Sequence, residues 1–228
     1  MANLILLRHG ESEWNLQNRF TGWTDVSLSE NGKKEAYSAG LKLKEQNLLP
    51  EIAHCSVLSR AIETLDIVLK TCERNWIPIK KTWRLNERHY GALQGLNKEQ
   101  TKLKYGEKQL RLWRRSYETP PPSLNWDDPR HPRFDQRYTS LPKETLPSTE
   151  SLKDVLERLL PYWQDFIYPD LLKYQTVLIV AHGNSLRALI KHLEAIGDNE
   201  ISNFELATGK PRLYSFDSDL NLKDINQL

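Results

Sequence analysis

The stretch Leu4-Ile5-Leu6-Leu7-Arg8-His9-Gly10-Glu11-Ser12 decides the fold. Four consecutive apolar residues followed by polar ones predict a buried strand. A cation, an imidazole and a flexible glycine come directly after that strand. Because ligands of open α/β sheets bind at the carboxyl ends of strands, we expect an anion site at this edge.

A second segment repeats the arrangement near the other end of the chain. Val177-Leu178-Ile179-Val180-Ala181 leads into His182-Gly183-Asn184-Ser185. Two strands that each end in His-Gly predict two imidazoles, His9 and His182, that face one pocket.

Composition places the chain among globular proteins. Of 228 residues, 39% are hydrophobic and 27% are charged, which is ordinary for such a protein. The net charge is +2, so the bulk charge predicts no nucleic-acid and no membrane partner. An anion site must therefore come from local clustering of Arg and Lys.

The two cysteines, Cys55 and Cys72, form no CxxC pair, which argues against a zinc or redox motif. No basic segment precedes the short apolar run at Leu4, and no run approaches the roughly 20 residues that span a bilayer. We therefore expect a cytoplasmic protein.

Strand and helix patterns alternate along the chain. The apolar patterns predict strands at Asn3–Leu7, Ile52–Val57, Ile77–Thr82, Thr176–Ala181 and, closing the chain, near Leu213–Phe216. Helices are predicted to begin after the caps Ser29, Ser59 and Ser151, and the third of these helices is predicted to reach about Tyr168. Two more helices are predicted, one over 98–116 with a break at Gly106 and one over 184–194. Pro78 predicts that the third strand lies near a sheet edge. The alternation predicts one α/β domain over residues 1–228.

Residues 117–150 contain seven of the twelve prolines. Such a segment is too long for an ordinary connector. We expect either an active-site lid or a subunit-contact loop.

His9 has two readings: a packed ring bonded to a backbone carbonyl, or a nucleophile. A neutral imidazole can attack phosphorus, and nearby cations favour the neutral form. Arg8 and Arg60 suit the phosphoryl oxygens, because a guanidinium grips phosphate with two hydrogen bonds. Arg60 is alternatively a solvated residue, but a cation in the first turn of a helix opposes the helix dipole unless an anion binds there.

Glu87 is either a surface ion pair with its arginine neighbours or a general acid/base for a substrate hydroxyl. Arg114-Arg115 is a solvated face or a second anion site. The neutral donors are either loop caps or anion ligands; they are Ser12, Asn15, Thr21 and Gly22. Asp127-Asp128 and His131 have no further ligands nearby in sequence, so we expect no metal.

These residues resemble a known family. Leu7-Arg8-His9-Gly10-Glu11-Ser12-Glu13-Trp14-Asn15 is similar to the motif of the histidine phosphatase superfamily, and more narrowly to the 2,3-bisphosphoglycerate-dependent phosphoglycerate mutases. The similarity extends from about Asn3 to Phe216. Four further segments share it: Asn18–Trp23, Leu85–Gly95, Trp113–Arg115 and Ala181–Ala188. Leu85-Asn86-Glu87-Arg88-His89-Tyr90-Gly91-Ala92-Leu93-Gln94-Gly95 is far more specific than the Arg-His-Gly triplet.

The resemblance implies a three-layer α/β/α fold with a mostly parallel central sheet. It implies that His9 becomes phosphohistidine, that Arg8, Arg60 and His182 hold the phosphoryl group, and that Glu87 transfers protons. It further implies phosphoryl-site hydrogen bonds from Asn15, Gly183 and Asn184. The remaining substrate-binding residues it implies are Ser12, Thr21, Gly22, Arg88, Tyr90, Lys98, Arg114 and Arg115.

The activity that the resemblance implies is the interconversion of 3-phosphoglycerate and 2-phosphoglycerate. 2,3-Bisphosphoglycerate is expected as both intermediate and primer, with no metal, in a cytoplasmic homodimer or homotetramer. The alternatives are a phosphatase or bisphosphoglycerate synthase on the same scaffold, and an inactive phospho-ligand binding protein.

The C-terminus departs from the family pattern. Members often extend well past the last strand, whereas this sequence ends at Leu228. We expect either more hydrolysis of the bisphosphate or more covering of the site by 117–150.

Overall fold

A six-stranded sheet forms the centre of the computed structural model, which describes residues 2–228. Its strands are β1 (Ala2–Arg8), β2 (Ile52–Cys55), β3 (Ile79–Lys81), β4 (Thr176–Ala181), β5 (Pro211–Phe216) and β6 (Leu222–Gln227). The order is β3-β2-β4-β1-β5-β6. The pairs among β1 to β4 are parallel, and β5 and β6 run antiparallel. The predicted α/β fold with a mostly parallel sheet is confirmed.

Helices cover both faces of the sheet. They are α1 (Glu13–Leu16), α2 (Glu30–Glu45), α3 (Ser59–Thr71), α4 (Lys98–Tyr105), α5 (Glu107–Arg115), α6 (Leu152–Tyr162), α7 (Tyr168–Lys173) and α8 (Gly183–Leu193). Leu4 and Leu6 of β1 pack with α6, α7 and α8. Ile5 and Leu7 point to the other face, against α2 and α3. Because successive side chains of a strand alternate between faces, β1 contributes to both cores of a three-layer structure.

The strand predictions need one correction. β6 was not predicted, since β5 was expected to close the chain. β6 is an edge strand whose residues are all half-buried or exposed, so its sequence lacks the apolar alternation of a core strand. Pro78 immediately precedes β3, which lies at the opposite edge as predicted.

The helix caps are partly as predicted. Ser29 and Ser151 cap α2 and α6 through their side chains. The prediction for Ser59 is wrong: Leu58 is the N-cap of α3, without a side-chain cap bond. Ser59 instead binds the Asp25 carboxylate through its backbone N–H and its hydroxyl, each at 2.7 Å.

The ends of two other predicted elements also differ. The helix predicted to reach about Tyr168 is α6, which passes through a π-helical turn, Trp163–Ile167, into α7. The loop predicted after β1 contains the short helix α1.

Residues 117–150 are irregular, with short 3-10 turns. This segment packs against the rest of the protein through Tyr138, whose ring centroid lies 4.9 Å from that of Trp23. The Tyr138 hydroxyl accepts a hydrogen bond from Asn86 Nδ2 at 2.9 Å. The segment therefore supports the loop that carries the motif of residues 85–95.

Among residues 2–228, none of the helices combines the length and the hydropathy needed to cross a membrane.

Gly10 permits the turn after β1 to pack against α2. A Cβ at this position would lie 2.2 Å from the Gly32 carbonyl oxygen, a backbone atom that cannot move aside. The glycine is therefore required by close approach of two backbones.

We expect Gly10→Ala to lower the free energy of unfolding by about 2–4 kcal/mol, because the overlap must displace α2 or the turn. Gly197→Ala is the matched control, since the nearest atoms there belong to the flexible Glu200 side chain. Urea denaturation of both variants measures the difference. Equal stabilities would contradict the packing argument.

Candidate active site

A cavity of about 640 Å³ opens at the carboxyl end of β1, where the sequence predicts the site. Most of the predicted site residues line it: Arg8, His9, Asn15, Thr21, Gly22, Arg60, Glu87, Tyr90, Lys98, Arg114, Arg115, Gly183 and Asn184. The cavity therefore joins residues from both ends of the chain and from the loops between them.

His9 lies buried at the base of the cavity, and its tautomer is determined by one contact. Nδ1 is 2.6 Å from the Gly10 carbonyl oxygen. Because a carbonyl only accepts, Nδ1 carries the proton and Nε2 keeps its lone pair. Burial lowers the pKa of His9 well below its usual value, and the Arg60 and Arg8 charges lower it further. His9 is therefore a neutral imidazole with an unprotonated Nε2.

The Arg60 guanidinium lies next to His9 Nε2. It lies in the first turn of α3 and is 1% exposed. Its Nε donates to His9 Nε2 at 3.3 Å, and its two terminal nitrogens donate to the carbonyls of Thr24 and Gly22. Burial lowers the pKa of Arg60 to about 10, so it remains a cation at neutral pH. The structure thus places a positive charge beside the position that a phosphoryl group on His9 would occupy.

Three buried donors of residues in the cavity wall have no partner within residues 2–228: Arg8 Nε, Thr21 Oγ1 and Arg187 Nε. Arg8 is anchored by its Nη1, which donates to the Leu206 carbonyl at 2.7 Å. Buried polar atoms are normally paired. Unpaired donors beside a neutral nucleophile fit the oxygens of an anionic ligand.

Gly22 has a positive φ of +57°, and a Cβ there would lie 2.3 Å from Gln94 Oε1. That amide oxygen accepts a hydrogen bond from the Trp23 N–H at 2.8 Å. The glycine and the amide together fix the turn whose carbonyl orients Arg60.

His182 does not face the cavity as predicted. It is fully buried, with its ring edge-on to His9 at a centroid distance of 4.9 Å. Its Nε2 lies 2.6 Å from Ser56 Oγ, and its Nδ1 has no partner. Burial and the Arg60 charge lower its pKa well below the usual value. His182 therefore supports the His9 ring from the side as a neutral group.

Glu87 presents its carboxylate to the cavity at the N-terminus of α8. Oε1 accepts hydrogen bonds from the backbone N–H of Arg88 at 2.7 Å and of Asn184 at 3.1 Å. A Cβ on Gly183 would lie 3.7 Å from Oε2 and 3.4 Å from Arg8 Nε. Gly183 therefore lies between Arg8 and the Glu87 carboxylate in the cavity wall, and a carboxylate exposed in a cavity is a group that can exchange protons.

The outer wall is strongly basic. Lys98, Arg114 and Arg115 lie there, and burial lowers the pKa of Lys98. The Tyr90 hydroxyl accepts a hydrogen bond from Asn184 Nδ2 at 3.0 Å. Burial raises the pKa of Tyr90, but the nearby Arg88 guanidinium outweighs it, so the net shift is downward.

Two further predicted ligands lie outside the cavity wall. Ser12 is buried and caps α1, bonding Asn15 through its hydroxyl and its backbone. Arg88 is also fully buried; it stacks on the Tyr90 ring at 4.7 Å and donates to the Arg114 carbonyl. Direct substrate binding by Ser12 and Arg88 is therefore not supported. Both residues orient neighbours that do line the cavity.

The wall includes residues that sequence reasoning missed: Arg19, Phe20, Arg187, Glu205, Leu206, Ala207 and Thr208. Arg187 lies one turn after the His182 motif, which gives it a position on the same helix. Residues 205–208 have no motif, and Leu206 contributes a backbone carbonyl. Glu205 pairs with Arg115 across the cavity mouth.

None of residues 117–150, all of which the structure describes, lines the cavity. The segment therefore does not form part of the cavity wall, and its role as a lid or as a subunit-contact loop stays a prediction.

Within residues 2–228, no three His, Cys, Asp or Glu side chains lie close enough together to hold a metal ion.

Comparisons with known proteins agree with this geometry. The sequence model of the histidine phosphatase superfamily (branch 1) matches residues 4–129 and 124–223, so the chain belongs to that superfamily. A 2,3-bisphosphoglycerate-dependent phosphoglycerate mutase of Parabacteroides distasonis is 54% identical over 222 residues, covering 97% of this chain and 90% of that protein. One of Streptomyces griseus is 56% identical over 216 residues, covering 95% and 85%. Within the superfamily, the chain groups with these mutases.

Solved structures share the fold. A mycobacterial glucosyl-3-phosphoglycerate phosphatase superposes with a TM-score of 0.73 at 24% identity, covering 100% of this chain and 97% of that one. Bacillus stearothermophilus YhfR gives a TM-score of 0.73 at 23% identity, with coverages of 98% and 95%.

The lowered pKa of His9 predicts a pH dependence of stability. As the pH falls through 6.5 the unfolded chain protonates His9 while the folded chain does not, so folding loses up to about 1.4 kcal/mol per pH unit. We expect His9→Asn to reduce the fall in unfolding free energy between pH 6.5 and 5.5 by about 1 kcal/mol, because the unfolded imidazole is already half protonated at pH 6.5. Urea denaturation at both pH values measures it, with all other titrating groups common to both proteins. Identical pH slopes would show that His9 titrates normally.

Proposed function

We propose that this protein interconverts 3-phosphoglycerate and 2-phosphoglycerate through a phosphohistidine at His9 and a 2,3-bisphosphoglycerate intermediate. One observation carries the proposal: a neutral His9 with an unprotonated Nε2 lies at the base of a cavity lined by seven cationic side chains and two carboxylates. A small polyanion suits that charge balance. The relatives at 53–56% identity carry the name 2,3-bisphosphoglycerate-dependent phosphoglycerate mutase, which supports the same substrate class.

In the first half-reaction, the phosphoryl group of phospho-His9 moves to the C2 hydroxyl of 3-phosphoglycerate. The P–N bond breaks, an oxygen–phosphorus bond forms, and Glu87 accepts the hydroxyl proton. Arg8 and Arg60 stabilise the charge on the equatorial phosphoryl oxygens, which is the main requirement of such a transfer. His9 is left neutral, with Nδ1–H still bonded to Gly10.

In the second half-reaction, the bisphosphate has turned so that its other phosphoryl group faces His9. Nε2 attacks that phosphorus, and Glu87 returns its proton to the leaving oxygen of 2-phosphoglycerate. The distal cations Lys98, Arg114 and Arg115 bind the carboxylate and the phosphate that is not reacting. Because guanidinium and ammonium groups bind either anion, the same wall accepts both orientations.

The same bisphosphate serves as primer, because it phosphorylates His9 whenever the phosphoryl group has been lost to water. No step uses a metal. We further infer that the reaction takes place in the cytoplasm. The partners of the protein are then the small-molecule phosphoglycerates, with no nucleic-acid and no membrane partner.

A phosphatase on the same scaffold is the alternative. It would need only the base of the cavity: His9, Arg8 and Arg60. The distal set at Lys98, Arg114 and Arg115 favours a substrate with a second and a third anionic group, and so favours the mutase.

A coupled assay for 2-phosphoglycerate tests the proposal. We expect activity that depends on added 2,3-bisphosphoglycerate, is unchanged by a chelator, and falls at least about 10³-fold in His9→Ala, which lacks the nucleophile. Ser123→Ala, in the segment away from the cavity, is the control. Hydrolysis of the bisphosphate without mutase activity would favour the phosphatase, and full activity of His9→Ala would refute the covalent mechanism.

We also propose a homodimer that pairs the β3 edge. β3 has one free edge, and Ile79 on it is 36% exposed. Trp76 is 70% exposed just before the strand, and Phe166, which lies beside Lys80, is 46% exposed. A short free strand with apolar neighbours is a template for pairing with a second copy.

We expect Ile79→Lys to convert dimers into monomers, because it places a charge in the paired edge while the outward side chain leaves the fold intact. Sedimentation velocity at micromolar concentration measures the state. Leu103→Lys, an exposed apolar residue of α4, is the control. A monomeric wild type, or a dimeric Ile79→Lys, would exclude this interface.

A further inference from the structure

The backbone of Glu87 is gripped on the side away from the cavity. Its carbonyl oxygen accepts one hydrogen bond from Arg158 Nη2 at 3.0 Å and another from Trp23 Nε1 at 2.6 Å. The Arg158 guanidinium lies 5.6 Å from the Trp23 ring. Both donors belong to segments distant in sequence from residue 87, so tertiary packing sets the position of this peptide.

The Arg158 guanidinium makes further contacts with the same loop. Nη2 donates to the Asn86 carbonyl at 2.9 Å, and Nη1 donates to the Arg84 carbonyl at 2.6 Å. Three backbone carbonyls of one turn therefore converge on a single planar group. Lysine cannot reproduce this pattern, because an ammonium has no rigid fork of donors.

Glu150 holds the guanidinium in place. Arg158 Nε donates to Glu150 Oε1 at 2.5 Å and Nη2 donates to Oε2 at 3.2 Å. Oε2 also accepts the His89 N–H at 2.7 Å. The side chains of Arg158 and Glu150 are 8% and 4% exposed. A buried ion pair is costly unless fully hydrogen-bonded, and here the bonds all converge on residues 84–89.

The Glu87 carboxylate extends from this anchored peptide toward the cavity. Its Oε1 meets the N–H groups of Arg88 and Asn184. Movement of the peptide by a fraction of an ångström would carry the carboxylate away from the hydroxyl it serves. Proton transfer needs hydrogen-bond contact, so its rate is sensitive to such movement.

We propose that Arg158, held by Glu150, is a positioning residue that sets the Glu87 carboxylate for proton transfer. The inference rests on the proposed function, because it requires Glu87 to exchange the substrate's hydroxyl proton. Arg158 itself does not line the cavity, and it contacts the wall only through the backbone of Glu87.

The test is a double-mutant cycle of Arg158→Lys and Glu87→Gln in the mutase assay. We expect Arg158→Lys to lower kcat roughly 10- to 100-fold, with the Kd of 3-phosphoglycerate changed less than about twofold, since the distal cations stay in place. We expect the double variant to be no slower than Glu87→Gln alone, because no carboxylate remains to be positioned.

Arg212→Lys is the matched control. Arg212 pairs with Glu194 in a half-buried site on β5, outside the cavity. This variant shows how much kcat changes when the altered arginine belongs to an ion pair that does not contact residues 84–89. Should Arg158→Lys fail to fold, Trp23→Phe takes its place in the cycle, because it removes the indole donor to the Glu87 carbonyl while it keeps an aromatic ring at the same position.

Multiplicative effects in the double variant, or a loss in Arg158→Lys that appears in Kd rather than kcat, would overturn the positioning role. If Glu87→Gln retains wild-type kcat, the proposed role of Glu87 fails, and the inference fails with it. If Glu87→Gln is slow while Arg158→Lys is as active as wild type, only the inference fails.

Discussion

The hydrogen bond between His9 Nδ1 and the Gly10 carbonyl is the contact on which the site depends. At 2.6 Å it fixes the proton on Nδ1 and leaves the Nε2 lone pair free. Burial and two neighbouring arginines then keep the ring neutral. The carbonyl is held because Gly10 lies against the Gly32 backbone, where no Cβ would fit. The chemistry of one nitrogen thus follows from the packing of a turn on a helix.

Around this nucleophile, charge is distributed in two regions. Arg8 and Arg60 lie beside His9, where phosphorus would react, and the second group of cations lines the outer wall. Residues that do not touch the cavity give these groups their positions. Arg88 supports Tyr90 and the end of α5, and Arg158 anchors the peptide of Glu87. Buried arginines thus orient residues of the wall, whereas exposed pairs such as Arg115 and Glu205 bridge its mouth.

Much of this arrangement could be predicted, and the exceptions have physical causes. β1 and β4 are uninterrupted apolar runs because both faces of a central parallel strand are covered. β6 was not predicted because this edge strand is held by its hydrogen bonds to β5, and its sequence has no pattern of buried apolar residues. His9, Arg60 and Glu87 were identified from residue type and motif. A motif does not say which side chains line a cavity, so the sequence did not show that Ser12, Arg88 and His182 lie outside its wall. Leu206 was missed because its contribution is a backbone carbonyl.

Phosphorus NMR of the protein after incubation with 2,3-bisphosphoglycerate tests the central claim most directly, because N-phosphorylated imidazoles differ in chemical shift between their two nitrogens. We expect one phosphohistidine, at His9, bonded through Nε2, and none in a His9→Asn variant. A phosphoryl group on Nδ1, on another residue, or on no residue at all would contradict nucleophilic catalysis by His9 Nε2.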